Sequence, residues 1–255
     1  MSARLSGRVA LITGASRGIG AAIARAMARE GATVVLASRK QPGLDEVRDA
    51  ILREMPDATV FAHACHVGQD DAREALFAWL DEHVGTVDIL VNNAGTNPHF
   101  GPMITVDWGA WDKTFEVNLK GPFALSRLMA QRLIQQKKPG AIVNIASVLG
   151  QGASPLQGVY GMTKASIISM TQTLAIEWGG AGIRVNAIAP GLVETRLAGA
   201  LVGNDEITRR FTDRTGSRRI AQPEEIAGAA VFLASDEASY ITGNVINVDS
   251  GFRIG

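Results

Sequence analysis

Tyr160 and Lys164 stand four apart in the stretch YGMTK. On a helix that spacing puts a phenol and an ammonium one above the other on the same face. Such a pair moves a proton. A phenol with a pKa of about 10 keeps its proton at neutral pH, and a neighbouring ammonium favours the phenolate, so the group serves as acid in one direction and base in the other. Near the start of the chain, Thr13, Gly14, Gly18 and Gly20 form TGxxxGxG. A glycine-rich turn of this kind lets backbone amides and a helix N-terminus hold a pyrophosphate. Ser147, closing the apolar run NIAS, offers a hydroxyl that would hold a carbonyl oxygen at the phenol. Together these residues point to oxidoreduction, with a nucleotide cofactor carrying out the hydride chemistry.

Something has to bring these distant groups into one cleft. Short β-branched runs at 9–13, 33–37, 60–63, 87–91, 141–145, 184–188 and 245–248 predict seven strands. Runs such as IVNIAS and RVNAIAP are apolar at consecutive positions, as suits strands of a parallel sheet buried on both faces. Helical patterns fill the intervals at 18–30, 44–53, 70–82, 108–136, 159–178 and 223–233, with Pro223 suited to a first turn. This alternation predicts one α/β domain over 1–255, a doubly wound parallel sheet of about seven strands with helices on both faces and right-handed crossovers. Segment 194–220 is charged, carries Gly199, Gly203 and Gly216 and has no strand pattern, so it reads as a helical flap and a candidate substrate lid.

Composition narrows the function classes. With 255 residues and 46% apolar content the chain can bury a sizeable core. Its 25 basic and 25 acidic residues give no net field to draw it onto nucleic acid or an anionic membrane. Cys65 is the sole cysteine and cannot form an intramolecular disulfide. The start MSARLSGRVA lacks the apolar core of a secretory signal, which makes a cytoplasmic location the default expectation. No apolar run approaches the roughly 18 residues of a membrane span. His63, His66, His83 and His99 share no metal-ligand spacing, so no metal site is expected. Trp108 and Trp111 read as packing residues of the long fourth helix.

Further landmarks are NNAG at 92–95, Asn118 in VNLKGPF, and Tyr160 and Lys164 thirteen and seventeen residues after Ser147. In this combination the chain resembles the short-chain dehydrogenase/reductase family over essentially its whole length. The resemblance implies a Rossmann-type domain with the substrate site built in, and a catalytic tetrad of Asn118, Ser147, Tyr160 and Lys164. It has Asn118, in a bend of its helix, holding a water that passes protons to Lys164, and it has Lys164 also holding the nicotinamide ribose. Cofactor contacts are implied at Gly14, Ser16, Arg17, Gly18, Ile19 and Gly20 in the first turn, and at Ser38 and Arg39 after the second strand. Others fall on His66 and Val67, on Asn93, Ala94 and Gly95, on Tyr160 and Lys164, and on Pro190, Gly191, Val193 and Thr195 in PGLVET. The closing YITGNVINVDSG matches as well. A homotetramer is implied too, with two-fold axes through the helix starting at Trp108, through the helix carrying Ile167, Ile168 and Met170, and through the last strand with Phe252.

The family of the cofactor can be narrowed from charge. An acidic residue at the end of the second strand holds the ribose hydroxyls of NAD and repels a 2′-phosphate. Ser38 and Arg39 stand there instead, with Arg17 in the glycine turn as a second guanidinium, so NADP(H) is expected. One departure stands out: relatives carry aspartate in a CDV stretch to hold the adenine amino group, whereas this chain reads CHV. His66 would accept the same bond when neutral or stack on the base, making affinity pH-sensitive.

The substrate wall is expected from 96–100, 148–157 and Leu192 onward through the flap. Phe100, Leu149, Leu156 and Leu192 would supply apolar contact, while Gly150, Gly152, Ala153 and Gly158 leave room. No arginine obviously awaits a carboxylate, which favours ketones such as aryl ketones or 3-oxo esters over keto acids. Arg196 and His99 would change that if flap closure carried them inward. The chain also resembles 3-oxoacyl carrier-protein reductases. The residue before Gly182, frequently basic in them for docking the acidic carrier, is Ala181, and Lys137 and Lys138 compensate only in part. An alcohol or polyol dehydrogenase running toward oxidation is the alternative, since the same groups serve both directions. A retired nucleotide-binding sensor would have no need of all four tetrad residues.

Overall fold

The apolar runs become strands because their consecutive side chains serve two different cores. In the computed structural model, which describes residues 3–254, the chain runs β1 (Val9–Thr13), α1 (Gly18–Arg29), β2 (Thr33–Ser38), α2 (Gln41–Glu54), β3 (Val60–Ala64), α3 (Asp70–His83) and β4 (Ile89–Asn92). It continues through α4 (Trp108–Phe115), α5 (Gly121–Gln136), β5 (Gly140–Ile145), α6 (Gly158–Gly179), β6 (Ile183–Pro190), α7 (Gly199–Val202), α8 (Asp205–Thr212), α9 (Glu224–Ala234) and β7 (Val245–Val248). Ile12, Leu36, Val91, Val143 and Ile188 pack on one face with α1, α2 and α9, burying Ile23, Met27, Leu44 and Leu233. Their neighbours Leu11, Val35, Leu90, Ile142 and Val185 pack on the other with Phe77, Leu80, Leu125, Met129 and Leu174 of α3, α5 and α6. The period of two thus divides each strand between two layers of helix.

All seven strands form one parallel sheet in the order β3-β2-β1-β4-β5-β6-β7. The winding direction reverses between β1 and β4, and a crevice opens there at the carboxyl ends of the strands, where open α/β sheets take their ligands. The residues that end β1, β4, β5 and β6 all lie along that edge.

One expectation needs correction. The helix expected over 108–136 is broken: Glu116–Lys120 forms a π-turn between α4 and α5, and Gly121 donates its N–H to the Glu116 carbonyl. Pro122 sits in the first turn of α5, where its missing N–H costs nothing. The turn lets Asn118 face inward. Lys137 and Lys138 lie at the opposite end of the sheet from the crevice, just before β5, where Gly140 donates to the Gly182 carbonyl. That places them beside the Ala181–Gly182 turn.

The flap does fold as helix. Asn204 caps α8 by accepting the Ile207 N–H at 3.1 Å, with Asp205 and Glu206 in its first turn and Arg209 and Arg210 in its last, the polarity a helix dipole favours.

Candidate active site

Gly14 and Gly20 are glycine because the turn after β1 closes on the loop after β4. Gly14 has a positive φ of 64°, and a Cβ there would stand 2.9 Å from Ala94 Cα. At Gly20 it would stand 2.5 Å from both Asn93 Nδ2 and the Gly14 carbonyl oxygen. Buried Thr13 holds the two loops together: its Oγ1 accepts the N–H groups of Asn93 and Ala94, each at 3.0 Å. Asn93 Nδ2 donates in return to the Thr13 carbonyl at 2.9 Å. The result is a tight cradle of backbone amides at the N-terminus of α1, of the kind that suits a pyrophosphate.

The tetrad assembles beside it. Ser147 follows β5, and its Oγ accepts the Leu149 N–H at 3.1 Å, which leaves its own O–H to donate. That hydroxyl reaches Tyr160 and pulls the phenol pKa down, but burial outweighs it and pushes the value up to about 12. Lys164, one turn further along α6, donates to the Ile145 carbonyl at 2.6 Å. Its Nζ lies 5.5 Å from the centroid of the Tyr160 ring, and burial lowers its pKa to about 8. The expectation that the ammonium would bring the phenol down is therefore not met in this state. Lys164 is held against a carbonyl and the ring face rather than at the hydroxyl, so desolvation prevails. Tyr160 therefore keeps its proton at neutral pH.

Asn118 acts as a strut. Its Nδ2 donates to the Thr96 carbonyl at 2.9 Å and to Thr163 Oγ1 at 3.1 Å, and its Oδ1 accepts the Thr96 N–H at 2.8 Å. The side chain thereby ties the loop after β4 to α6 and is fully engaged in doing so.

Ser147, Tyr160 and Lys164 line one cleft together with Ile19, Asn93, Gly95, Pro190, Gly191, Val193 and Thr195. Leu149 and Leu192 line it as expected. Phe100 and Leu156 do not, being 41% and 40% exposed; Leu156 has a φ of 65°, which turns its side chain outward. The apolar wall comes instead from the flap, through Leu197, Leu201 and Phe211. Two amides from the expected wall segments 96–100 and 148–157, Asn97 and Gln157, also line the cleft. Arg196 and His99 do not; His99 Nε2 lies 3.3 Å from the Pro102 carbonyl.

The far end of the crevice carries positive charge. Arg17 precedes α1 and Arg39 follows β2, both exposed, with no ion pair or hydrogen bond from either side chain among the described residues. His66, after β3, accepts the Gly68 N–H at 3.1 Å through Nδ1, and its Nε2 lies 3.1 Å from Lys113 Nζ. Burial first, then the charges of Lys113 and Arg39, lower its pKa. The imidazole is thus neutral at pH 7. Val67 is buried, and its carbonyl accepts from Arg73. Cys65 is buried, with burial pushing its pKa up to about 11, and is not a reactive thiol. No helix among the described residues is long and apolar enough to cross a membrane.

Comparison with known proteins gives consistent kinships. A family profile described as enoyl-(acyl carrier protein) reductase matches residues 14–253. Human dehydrogenase/reductase SDR family member 4 is 37% identical over 247 residues, covering 97% of this chain and 88% of that protein. The 3-oxoacyl-(acyl-carrier-protein) reductase of Thermotoga maritima is 38% identical over 252 residues, covering 98% of this chain and 100% of its own length. Among solved structures, a gluconate 5-dehydrogenase from Burkholderia cenocepacia J2315, in complex with NADP and tartrate, superposes with a TM-score of 0.94 at 33% identity, covering 100% of this chain and 98% of that one.

Proposed function

Because the chain belongs to the short-chain dehydrogenase/reductase family, we propose that it reduces ketones to secondary alcohols with NADPH, Tyr160 acting as general acid. The observation that carries this reading is the meeting of Ser147, Tyr160 and Lys164 in a cleft whose facing wall is Leu149, Leu192, Leu197, Leu201 and Phe211. The cradle at Gly14 and Gly20 suits a pyrophosphate, and Arg17 and Arg39 suit a 2′-phosphate. When bound, the nicotinamide cofactor supplies the hydride.

The chain's own residues supply the rest. Charge grows on the carbonyl oxygen as carbon is reduced, and the Ser147 hydroxyl donates to that oxygen and fixes it beside the phenol. Tyr160 passes its proton to the same oxygen. The phenolate left behind needs a cation nearby, which Lys164 provides from the ring face. Lys164 loses that charge as pH rises through about 8, while Tyr160 keeps its proton up to about 12. Reductive kcat/KM is therefore expected to be level below about pH 8 and to decline above it. A profile measured at saturating cofactor that stays level through this range would deny Lys164 a charged role.

Substrate choice follows from the wall. Lys164, already bound to Ile145, is the only cation lining the cleft among the described residues, so a carboxylate would be desolvated without a partner, at several kcal/mol. Catalytic efficiency with NADPH on a 3-oxo ester is expected to exceed that on its free acid. If the acid wins, Arg196 becomes the group to test, and Arg196→Ala should abolish the advantage. Oxidation of a polyol is the second reading, favoured by the likeness to a gluconate 5-dehydrogenase.

A homotetramer belongs to the same proposal. Trp108, Phe123 and Ile176 are exposed, and Phe115, Leu119, Phe123 and Met170 line a shallow apolar groove along α4, α5 and α6. At the sheet edge beside β7, Tyr240 and Ile254 are exposed as well. Two separate apolar faces suit the two kinds of two-fold contact that a tetramer of D2 symmetry requires. Light scattering at micromolar concentration is expected to give four chains; a monomer would contradict it.

A further inference from the structure

We infer that Asn97 and Gln157 form a second recognition point in the cleft, which selects ketones carrying a further, uncharged oxygen close to the one that is reduced. The inference rests on the placement of the reacting carbonyl at Tyr160 argued above.

Gln157 immediately precedes α6 and lies three residues before Tyr160. Gln157 and Tyr160 line the same cleft. Asn97 arrives from the loop after β4, two residues beyond Gly95. Its Nδ2 donates to Gln157 Oε1 at 2.9 Å, and both residues line the cleft. Gln157 is only 7% exposed, yet its Nε2 has no hydrogen-bond partner among the described residues. That atom is not sealed inside protein either, so it opens on the cleft. Asn97 Oδ1 is in the same position. An amide pair bonded through one end of each member leaves one donor and one acceptor free, whichever way the two amides are turned. The free donor and acceptor line the cleft, where a substrate's polar group can bond to them in place of water.

The backbone shows that this arrangement is built rather than incidental. Leu156, a residue with a side chain, is held at a φ of 65°, and such strain persists only where the surroundings impose it. Its carbonyl accepts the Gly101 N–H at 2.9 Å, and the Gln157 N–H donates to the Ser154 carbonyl at 3.0 Å. The effect is to turn apolar Leu156 outward and polar Gln157 into an otherwise apolar site. With Leu197, Leu201 and Phe211 facing the pair and no free cation lining the cleft among the described residues, the matching group is neutral. An ester carbonyl would take the donor alone, while a hydroxyl would take donor and acceptor together. Three residues from Tyr160 in sequence and lining the same cleft, the pair is assigned an oxygen close to the reduced one, and ketones with two oxygens in a 1,3 relationship are the probes.

The test compares wild type with Gln157→Met, which keeps the length of the side chain and removes the amide, and with Asn97→Ala. Each is assayed with NADPH on ethyl 3-oxobutanoate, on 4-hydroxy-2-butanone and on 2-hexanone, which lacks the second oxygen. For Gln157→Met, kcat/KM is expected to fall about tenfold or more on one or both oxygenated ketones and by less than about threefold on the plain one. Asn97→Ala should shift the ratio in the same direction. A selective fall on the ester alone assigns the donor to a carbonyl, and a fall on the hydroxy ketone assigns it to a hydroxyl; either supports the inference. Equal losses on all three, or no loss on any, would overturn it while leaving ketone reduction standing. Failure of the wild type to reduce any of the three would remove the underlying reading and this inference with it.

Discussion

Tyr160→Phe is expected to lower kcat by about a hundredfold or more, equivalent to about 2.7 kcal/mol, while NADPH still binds within a few-fold of wild type. The ring stays in place, so its contact with Lys164, whose Nζ is 5.5 Å from the centroid, is retained, and the glycine turn is untouched. Only the proton donor is lost. Ser147 would still polarise the carbonyl, but it accepts from Leu149 and has no cation of its own to stabilise the alkoxide it would leave. Lys164→Ala provides the contrast. It removes a buried group bonded to Ile145 and, on the family's pattern, a contact to the nicotinamide ribose, so it should harm both turnover and cofactor binding. Steady-state assays with a fluorescence titration of NADPH separate the two cases. Near-normal turnover by Tyr160→Phe would refute the assignment of the general acid.

The sheet was legible because strands buried on both faces write an unbroken apolar run, and IVNIAS and RVNAIAP could be little else. The meeting of Ser147, Tyr160 and Lys164 was legible because the last two are local on one helix and Ser147 follows the end of β5, whereas Asn118 was pointed to only by the family resemblance. What failed was direction. Phe100 and Leu156 were apolar at suitable positions, but a positive φ at Leu156 reverses the side chain, and no residue type announces it. The break after Phe115 was expected only as the bend that the resemblance puts at Asn118; its own signal, Gly121 and Pro122, was masked by a 3.6-residue pattern running through them. Asn97 and Gln157 fell inside the expected wall segments, but their pairing left no signal. They are 60 residues apart, and a lone amide in a loop has no period; only the folded loop after β4 brings them to 2.9 Å.

The preference for NADPH over NADH is expected to be at least tenfold in kcat/KM, about 1.4 kcal/mol, and Arg39→Asp is expected to swing the ratio by about a hundredfold or more. Arg39 follows Ser38, the last residue of β2, where an acid would otherwise hold the ribose hydroxyls. It and Arg17 are exposed, so water and salt screen their pull on a 2′-phosphate, which is why tenfold is the floor claimed for wild type. The substitution acts twice. It deletes a donor to the phosphate, and it places a carboxylate where the phosphate would sit but where free hydroxyls donate to it well. Efficiency with NADH should therefore hold or rise while that with NADPH falls, a pattern general damage to the fold would not give. Arg17→Ala, which adds no opposing charge, should erode the preference without inverting it. There is a secondary consequence at His66. Arg39 is one of the two cations that, after burial, lower its pKa, so exchanging that cation for an anion raises it. Protonation of His66 then moves toward neutral pH, and the adenine end of the site should become pH-dependent in Arg39→Asp at values where wild type is not. Titrating both cofactors across that range tests the two effects together. An unchanged NADPH-to-NADH ratio would leave Arg39 without a role at the phosphate, whatever became of His66.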